Sequence, residues 1–278
     1  MEQTASTLEL KLLRGARALL ARHARELPQR DDLCGAFCGA LALHAAGYEQ
    51  RGGAPLDQDA VALAAGSLVS RVPDTSALPH GERGRRDYRI VPPMIDDASV
   101  SGTNCVGVLS AIAELSDGGL ATLPYSGPWS ATALDGLFDA AAELPRPVAL
   151  IANLATRHLW GASPRIDQLL DFLLDGCDHG PPADWDVGHF VCVFGRTQGP
   201  GGALYGVADT YPSLGSGGVH LQPSERLARA LARPDMAPGG LIVVSAREDA
   251  VTVRAAAERV GLREGAWDNG TLIVAPSP

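Results

Sequence analysis

Residues 34–46 run Cys-Gly-Ala-Phe-Cys-Gly-Ala-Leu-Ala-Leu-His-Ala-Ala, almost all small or apolar. A helix that is apolar all round offers no face to water, so it belongs in the middle of a domain. Gly47 is placed to stop it. The chain must build its layers around this segment and has the material to do so. It holds 278 residues, 46% of them hydrophobic, which excludes global disorder. Pro28 and the polar run Gln29-Arg30-Asp31-Asp32 precede the buried helix and end a first helix over 7–25. In that first helix Lys11, Arg14, Arg17 and Arg22 interrupt apolar positions at near-helical spacing, so it reads as amphipathic.

The remaining pattern changes character midway. Helices are expected at 59–70 and 103–115, with a long irregular excursion over 71–101 rich in Pro, Gly, Asp and Arg. Ser130 or Thr132 can cap another helix that runs to residue 143. Strands are expected at 121–125, 147–154, 190–195, 204–209 and 241–245. An insertion over about 155–187 carries a helix at 166–174. Ser224 can cap a helix over 224–232, and a last helix (251–260) and strand (271–275) follow. Helices first and strands later predict an α+β fold, with helices in one layer and a mainly antiparallel sheet in another. The expected organisation is an N-terminal amphipathic helix (1–28), a main domain (29–246) and a C-terminal helix-strand extension (247–278).

Lys and Arg total 23 against 32 Asp and Glu, a net charge of -9. That balance argues against a broad nucleic-acid surface or an anionic membrane as partner. The cluster Arg83, Arg85, Arg86 and Arg89 reads as a solvated loop. The N-terminus lacks the basic region and apolar run of a secretory signal, so a cytoplasmic location is expected. An odd set of five cysteines at irregular spacing fits reduced thiols better than a disulfide framework.

A thiol nucleophile needs a stabilised thiolate, a base within reach and a group that fixes the base's tautomer. Cys34 opens the buried helix, where free N–H groups and partial positive charge favour a thiolate. Gly35 next to it leaves the approach of a carbonyl uncrowded. His189, preceded by Gly188, stands at the mouth of an apolar strand, and Asp209 ends the next strand. If those strands are antiparallel neighbours, the carboxylate can accept the imidazole N–H. Asn153 is a lower-ranked alternative for that role. Cys38, Cys105 and Cys192 read as core, and His158 as a surface histidine. Asp175, Cys177, Asp178 and His179 lack the second cluster that a tetrahedral metal site needs. No cofactor or metal is called for, and Gly215-Ser216-Gly217-Gly218 reads as a flexible turn.

Gln29, the helix Cys34-Gly-Ala-Phe-Cys38, the strand Gly188-His-Phe-Val191 and Val207-Ala-Asp-Thr-Tyr-Pro212 together resemble the cysteine peptidases that process bacteriocin precursors at a double glycine. These are papain-like proteins, and the similarity spans about 29–246. The helix opening at Ser101-Gly-Thr-Asn104 and the strand at 147–151 agree with it. The resemblance implies a papain-like fold, a peptide substrate, Cys34, His189 and Asp209 as catalytic residues, and Gln29 as oxyanion donor. The chain departs from that pattern in three places. Gln29 stands five residues before Cys34 rather than six, the insertion before His189 is long, and Asp209 is followed by Thr210-Tyr211-Pro212 rather than directly by proline. It also lacks the transporter segments to which such domains are often fused. The expected activity is thiol-dependent cleavage of a peptide amide, with leader removal one form of it. Transfer to an amine, or a non-catalytic binding module on the same fold, are the alternatives.

Overall fold

The computed structural model describes residues 7–272. The described residues open with strand β1 (Glu9–Leu12), turn at Gly15 and enter α1 (Ala16–Glu26). The single helix expected over 7–25 is therefore a strand and a helix. Two things break it. Glu9 to Leu12 pair with Gln198 to Gly195 of a long central strand. Gly15 adopts a φ of 96° and comes so close to Ala45 that an added Cβ would sit 2.9 Å from its carbonyl oxygen.

The all-apolar segment is α2 (Cys34–Ala45), buried at every position except its first residue. Leu19 of α1 and Val61 of α3 (Gln58–Ala64) share its core cluster, as do Val108 and Ile112 of α4 (Cys105–Leu115). Phe190, Cys192 and Ile151 close the same cluster from the sheet. Each fully buried Leu or Phe here contributes about 1.5–3 kcal/mol. Asn104 caps α4 by accepting from Val106 N at 2.9 Å.

Two small ribbons flank this helical layer. Strands β2 (Gln50–Arg51) and β3 (Ala54–Pro55) join through Gly52 and Gly53, both at positive φ as a tight hairpin requires. Strands β4 (Val69–Ser70) and β5 (Met94–Ile95) run parallel and bracket the excursion. Its arginines are not simply solvated. Arg85 donates to Pro28 O at 2.8 Å, Arg86 to Ser70 O at 2.8 Å, and Arg89 pairs with Asp57 at 2.7 Å. Arg85 fastens the excursion to the loop that leads into α2, Arg86 fastens it to β4, and Arg89 to the N-cap of α3.

The second half supplies β6 (Leu120–Ser126), α5 (Ala131–Ala142), β7 (Val148–Ala155), α6 (Ile166–Asp175), β8 (Gly188–Gln198) and β9 (Ala203–Ala208). Then come β10 (Val219–Pro223), α7 (Ser224–Ala232), β11 (Gly240–Ala246), α8 (Ala250–Arg259) and β12 (Arg263–Glu264). Ser130 caps α5 through Ala133 N at 3.1 Å, whereas Ser224 lies inside α7 and caps nothing. The main sheet runs β10-β9-β8-β7-β11-β6-β12 with every pairing antiparallel, and β1 joins the far half of β8.

The fold is thus mixed α and β around a mainly antiparallel sheet, but with helices on both faces. All eight residues of β7 are buried, so neither face can meet water. Residues 149 and 151 join the α2 core, while 150, 152 and 154 join a second core with Leu134 and Leu137 of α5, Leu227 of α7 and Val253 of α8. The C-terminal segment belongs to this body through α8 and β12, and the strand expected at 271–275 lies largely outside the described residues. Among the described residues no helix is long and apolar enough to cross a membrane.

Gly35 packs rather than clears an approach path. A Cβ there would stand 2.9 Å from Thr103 Cβ and 3.3 Å from Phe190 Cδ2. Gly35→Ala is expected to destabilise the fold by about 1–3 kcal/mol through overpacking, despite its better helix propensity. A lower urea midpoint at unchanged slope is the expected result.

Candidate active site

The sheet register brings the first two groups together. Cys192 pairs with Ala208, which sets Asp209 opposite Val191 and makes His189 its same-face diagonal neighbour. His189 Nε2 lies 3.0 Å from Asp209 Oδ1, and both side chains are buried. The pairing expected from strand order therefore holds. Asn153, the other candidate orienter, reaches only the His189 backbone oxygen, at 3.4 Å.

Asp209 is held from several sides. Its Oδ1 also accepts from Thr210 N at 2.6 Å, and its Oδ2 lies 3.2 Å from His220 Nε2. Gln222 fixes the His220 tautomer. The Gln222 carbonyl accepts from Trp160 N, so its amide donates to His220 Nδ1 at 3.0 Å and leaves the proton on Nε2, facing Asp209. His23 Nε2 donates to the Asp209 backbone oxygen at 2.6 Å. Burial alone would raise the Asp209 carboxyl, but the charge and hydrogen bond of His189 and the hydrogen bond of His220 hold it well below the usual carboxylate range. Burial would likewise push His189 down. The Asp209 charge and hydrogen bond, with the Cys34 sulfur behind them, push it up to about 10.

Cys34 supplies that sulfur from the first residue of α2, half-buried and free of any disulfide. The N-cap, Leu33, has no capping side chain, so the N–H groups of the first turn stay open toward Cys34's surroundings. His189 Nε2 is committed to Asp209, which leaves Nδ1 as the ring nitrogen for the thiol. Cys38, Cys105 and Cys192 are buried, and burial pushes the Cys38 and Cys105 thiols up. Cys177 is exposed.

Gln29 joins the group through Thr210. The Thr210 hydroxyl accepts from His189 Nε2 at 3.2 Å and donates its one proton to Gln29 Oε1 at 2.5 Å. That fixes the amide with its NH2 unclaimed. Gln29 N also donates to Thr210 O at 2.9 Å. Spacing five residues from Cys34 is thus compatible with Gln29 lining the same cleft as Cys34 and His189. The cleft has a volume of about 570 Å³. Thr210 is what ties Gln29 to the histidine.

Three contributors escaped the sequence reading. His220 sits on β10, a strand read only as chain beyond a flexible turn. The glycines before it are structural: Gly218, at φ 80°, has His23 Cε1 2.9 Å from where a Cβ would be, and its carbonyl accepts from Asp209 N at 2.7 Å. The insertion contributes Trp185, whose ring lies edge-on to His189 at 4.7 Å while its Nε1 donates to Ala77 O at 2.9 Å. Tyr211 stacks on His189 at 6.4 Å and meets Trp185 edge-on at 5.6 Å, so the two rings cover the same side of the imidazole. Together these rings shield the His189–Asp209 pair from water. His158 is buried rather than a surface residue, 3.4 Å from Asp235. Asp178 serves Trp160 and Arg226, and His179 lies 3.2 Å from Asp171.

A family model described as a family of unknown function (DUF6885) matches residues 13–268. No curated protein matches the chain.

The pair sets a pH window for stability. His189's raised pKa stabilises the fold fully below its ordinary 6.5, and the contribution fades as pH rises through about 10. Asp209's lowered pKa stabilises fully above 3.8 and fades as pH falls toward its folded value. The stability gap between wild type and Asp209→Asn should therefore be widest from about pH 4 to 6.5 and narrow on both sides, as read by denaturant titrations across pH. A gap independent of pH would refute the charged pairing.

Proposed function

The chain belongs to this family of unknown function (DUF6885), and from its site we propose a thiol-dependent acyl-transfer enzyme of papain-like type that cleaves peptide amides. The observation that carries this reading is the buried His189–Asp209 pair beside Cys34 at an uncapped helix N-terminus, all opening on one cleft. Asp209 fixes the imidazole with Nε2 as donor, so Nδ1 is free to take the Cys34 proton. The resulting thiolate attacks a carbonyl, and negative charge develops on its oxygen. The Cys34 backbone N–H and the unclaimed Gln29 amide are the groups able to receive that charge. His189 then returns the proton to the leaving amine, and a thioester remains on Cys34. Water activated by His189 attacks the thioester, releases the acid and restores the thiol. Trp185 and Tyr211 support the cycle by keeping the ion pair dry.

Leader removal and cytoplasmic location are finer readings of this proposal, and transfer of the acyl group to an amine is the alternative to hydrolysis. Product mass separates hydrolysis from transfer, because hydrolysis adds one water and transfer adds the amine.

Cys34 should react with iodoacetamide at mildly acidic pH much faster than a model thiol, and ahead of the exposed Cys177, as measured by peptide mass spectrometry. Equal rates would sink the proposal. Gln29→Ala should lower kcat about a hundredfold or more, with KM changed far less. Cys34→Ala should remove turnover altogether while the fold persists.

A further inference from the structure

Arg233 is a buried cation without a counter-charge. It follows α7 with a left-handed φ of 46°, and only 5% of it is exposed. Its Nη1 donates to Asn153 Oδ1 at 2.5 Å and to Pro238 O at 3.4 Å. Trp267 Nε1 donates to the same Asn153 oxygen at 3.0 Å, so the residue that holds the guanidinium is itself held. Among the described residues no carboxylate pairs with Arg233, and its Nε is buried without a partner. Nη2 has no hydrogen bond either. It stands 2.6 Å from where a Cβ on Gly188 would be, beside His189. Gly188 therefore makes room for this side chain.

Arg233 lines the same cleft as Cys34 and His189. The carboxylates of that cleft are held by other groups and none pairs with Arg233: Asp31 Oδ1 accepts from Arg85 N while its Oδ2 lies 3.9 Å from Arg86, Asp32 accepts from Ser70 N, and Asp74 from Ser76 N. A guanidinium stripped of water and left without an anion is costly, so such a group is retained where an anion arrives. Nε and Nη2 form one edge of the planar fork, the edge that matches the two oxygens of a carboxylate. Asn153 holds the opposite corner and presets the fork's orientation. Met236, whose sulfur lies 3.6 Å from the same point beside Gly188, is flexible enough to move aside for a ligand.

We propose that Arg233 is a specificity-determining residue that binds a substrate carboxylate next to the bond attacked by Cys34. The carboxylate comes from an acidic side chain or from the chain terminus of the peptide. This rests on the reading of Cys34 as nucleophile. The rival role for Arg233 is to tune the Cys34 thiolate across the cleft, and the two roles predict different things.

The test uses matched alkylating probes on the intact chain. N-iodoacetylglycine and its amide compare a terminal carboxylate with a neutral twin. N-iodoacetylaspartic acid α-amide and N-iodoacetylasparagine amide do the same for a side-chain carboxylate. In the wild type, the acid of at least one pair should label Cys34 about tenfold faster than its amide twin. The pair that shows the preference identifies the source. Arg233→Gln should bring the twins to within about twofold while leaving the amide's rate nearly unchanged. Equal rates within both pairs of the wild type would overturn the proposal, and need no variant to fold. A variant that slows acid and amide alike would also overturn it, since that is the signature of thiolate tuning. Failure of Cys34 to label ahead of Cys177 with any probe would remove the nucleophile and this proposal together. Fast labelling without acid preference would remove only the role of Arg233.

Discussion

One buried carboxylate organises this end of the molecule. Asp209 meets His189 through one oxygen, His220 through the other, and His23 through its backbone carbonyl. A buried charge survives only if its lone pairs are filled, and here each partner comes from a different element: α1, β8 and β10. Satisfying Asp209 therefore fixes the relative positions of a helix on one face and of strands on either side of β9. The cleft inherits its shape from that requirement.

A single hydroxyl carries the constraint across to α2. Thr210 accepts from His189 and donates to Gln29, so the orienting of the imidazole and the aiming of the amide are parts of one chain. The loop from Gln29 to Cys34 is pinned independently. Arg30 N donates to the buried Gln58 side chain at 2.6 Å, and Asp31 exchanges backbone and side-chain bonds with Arg85. Sheet and helix are each rigid at the point where they face one another, which is what a site built from two layers needs.

Much of this was legible in the sequence where periodicity and residue chemistry agree. The all-apolar run announced α2, and the positions of His189 and Asp209 at strand mouths announced their meeting, because antiparallel neighbours bring a start beside an end. What stayed hidden has physical causes. β1 is a charged, exposed strand whose helical spacing is real but whose backbone is claimed by the free half of β8. β10 is short and follows a glycine run that resembles a linker, so His220 had no visible context. The second helical layer follows from strands apolar on both faces, a pattern that run length hints at but that topology alone settles. The arginines at 85, 86 and 89 look solvated because their partners are backbone carbonyls and distant aspartates. Arg233 carries no motif at all.

The insertion between β7 and β8 is pinched shut at its base. Thr156 N donates to Val187 O at 3.0 Å, its hydroxyl donates to Trp185 O at 2.9 Å, and Val187 N returns a bond to that hydroxyl at 2.9 Å. The two ends of the segment therefore leave the sheet side by side. Apart from Trp160, whose backbone N–H holds Gln222, and Phe172 and Leu173, which pack on Leu204 of β9, what lies between residues 157 and 184 can lengthen, shorten or be exchanged without altering the register of β7 against β8. Trp185, just inside the clasp, would stay on His189 throughout. The segment is in effect a cassette at the rim of the cleft, where relatives can diverge in what they admit while the buried pair beneath it stays the same.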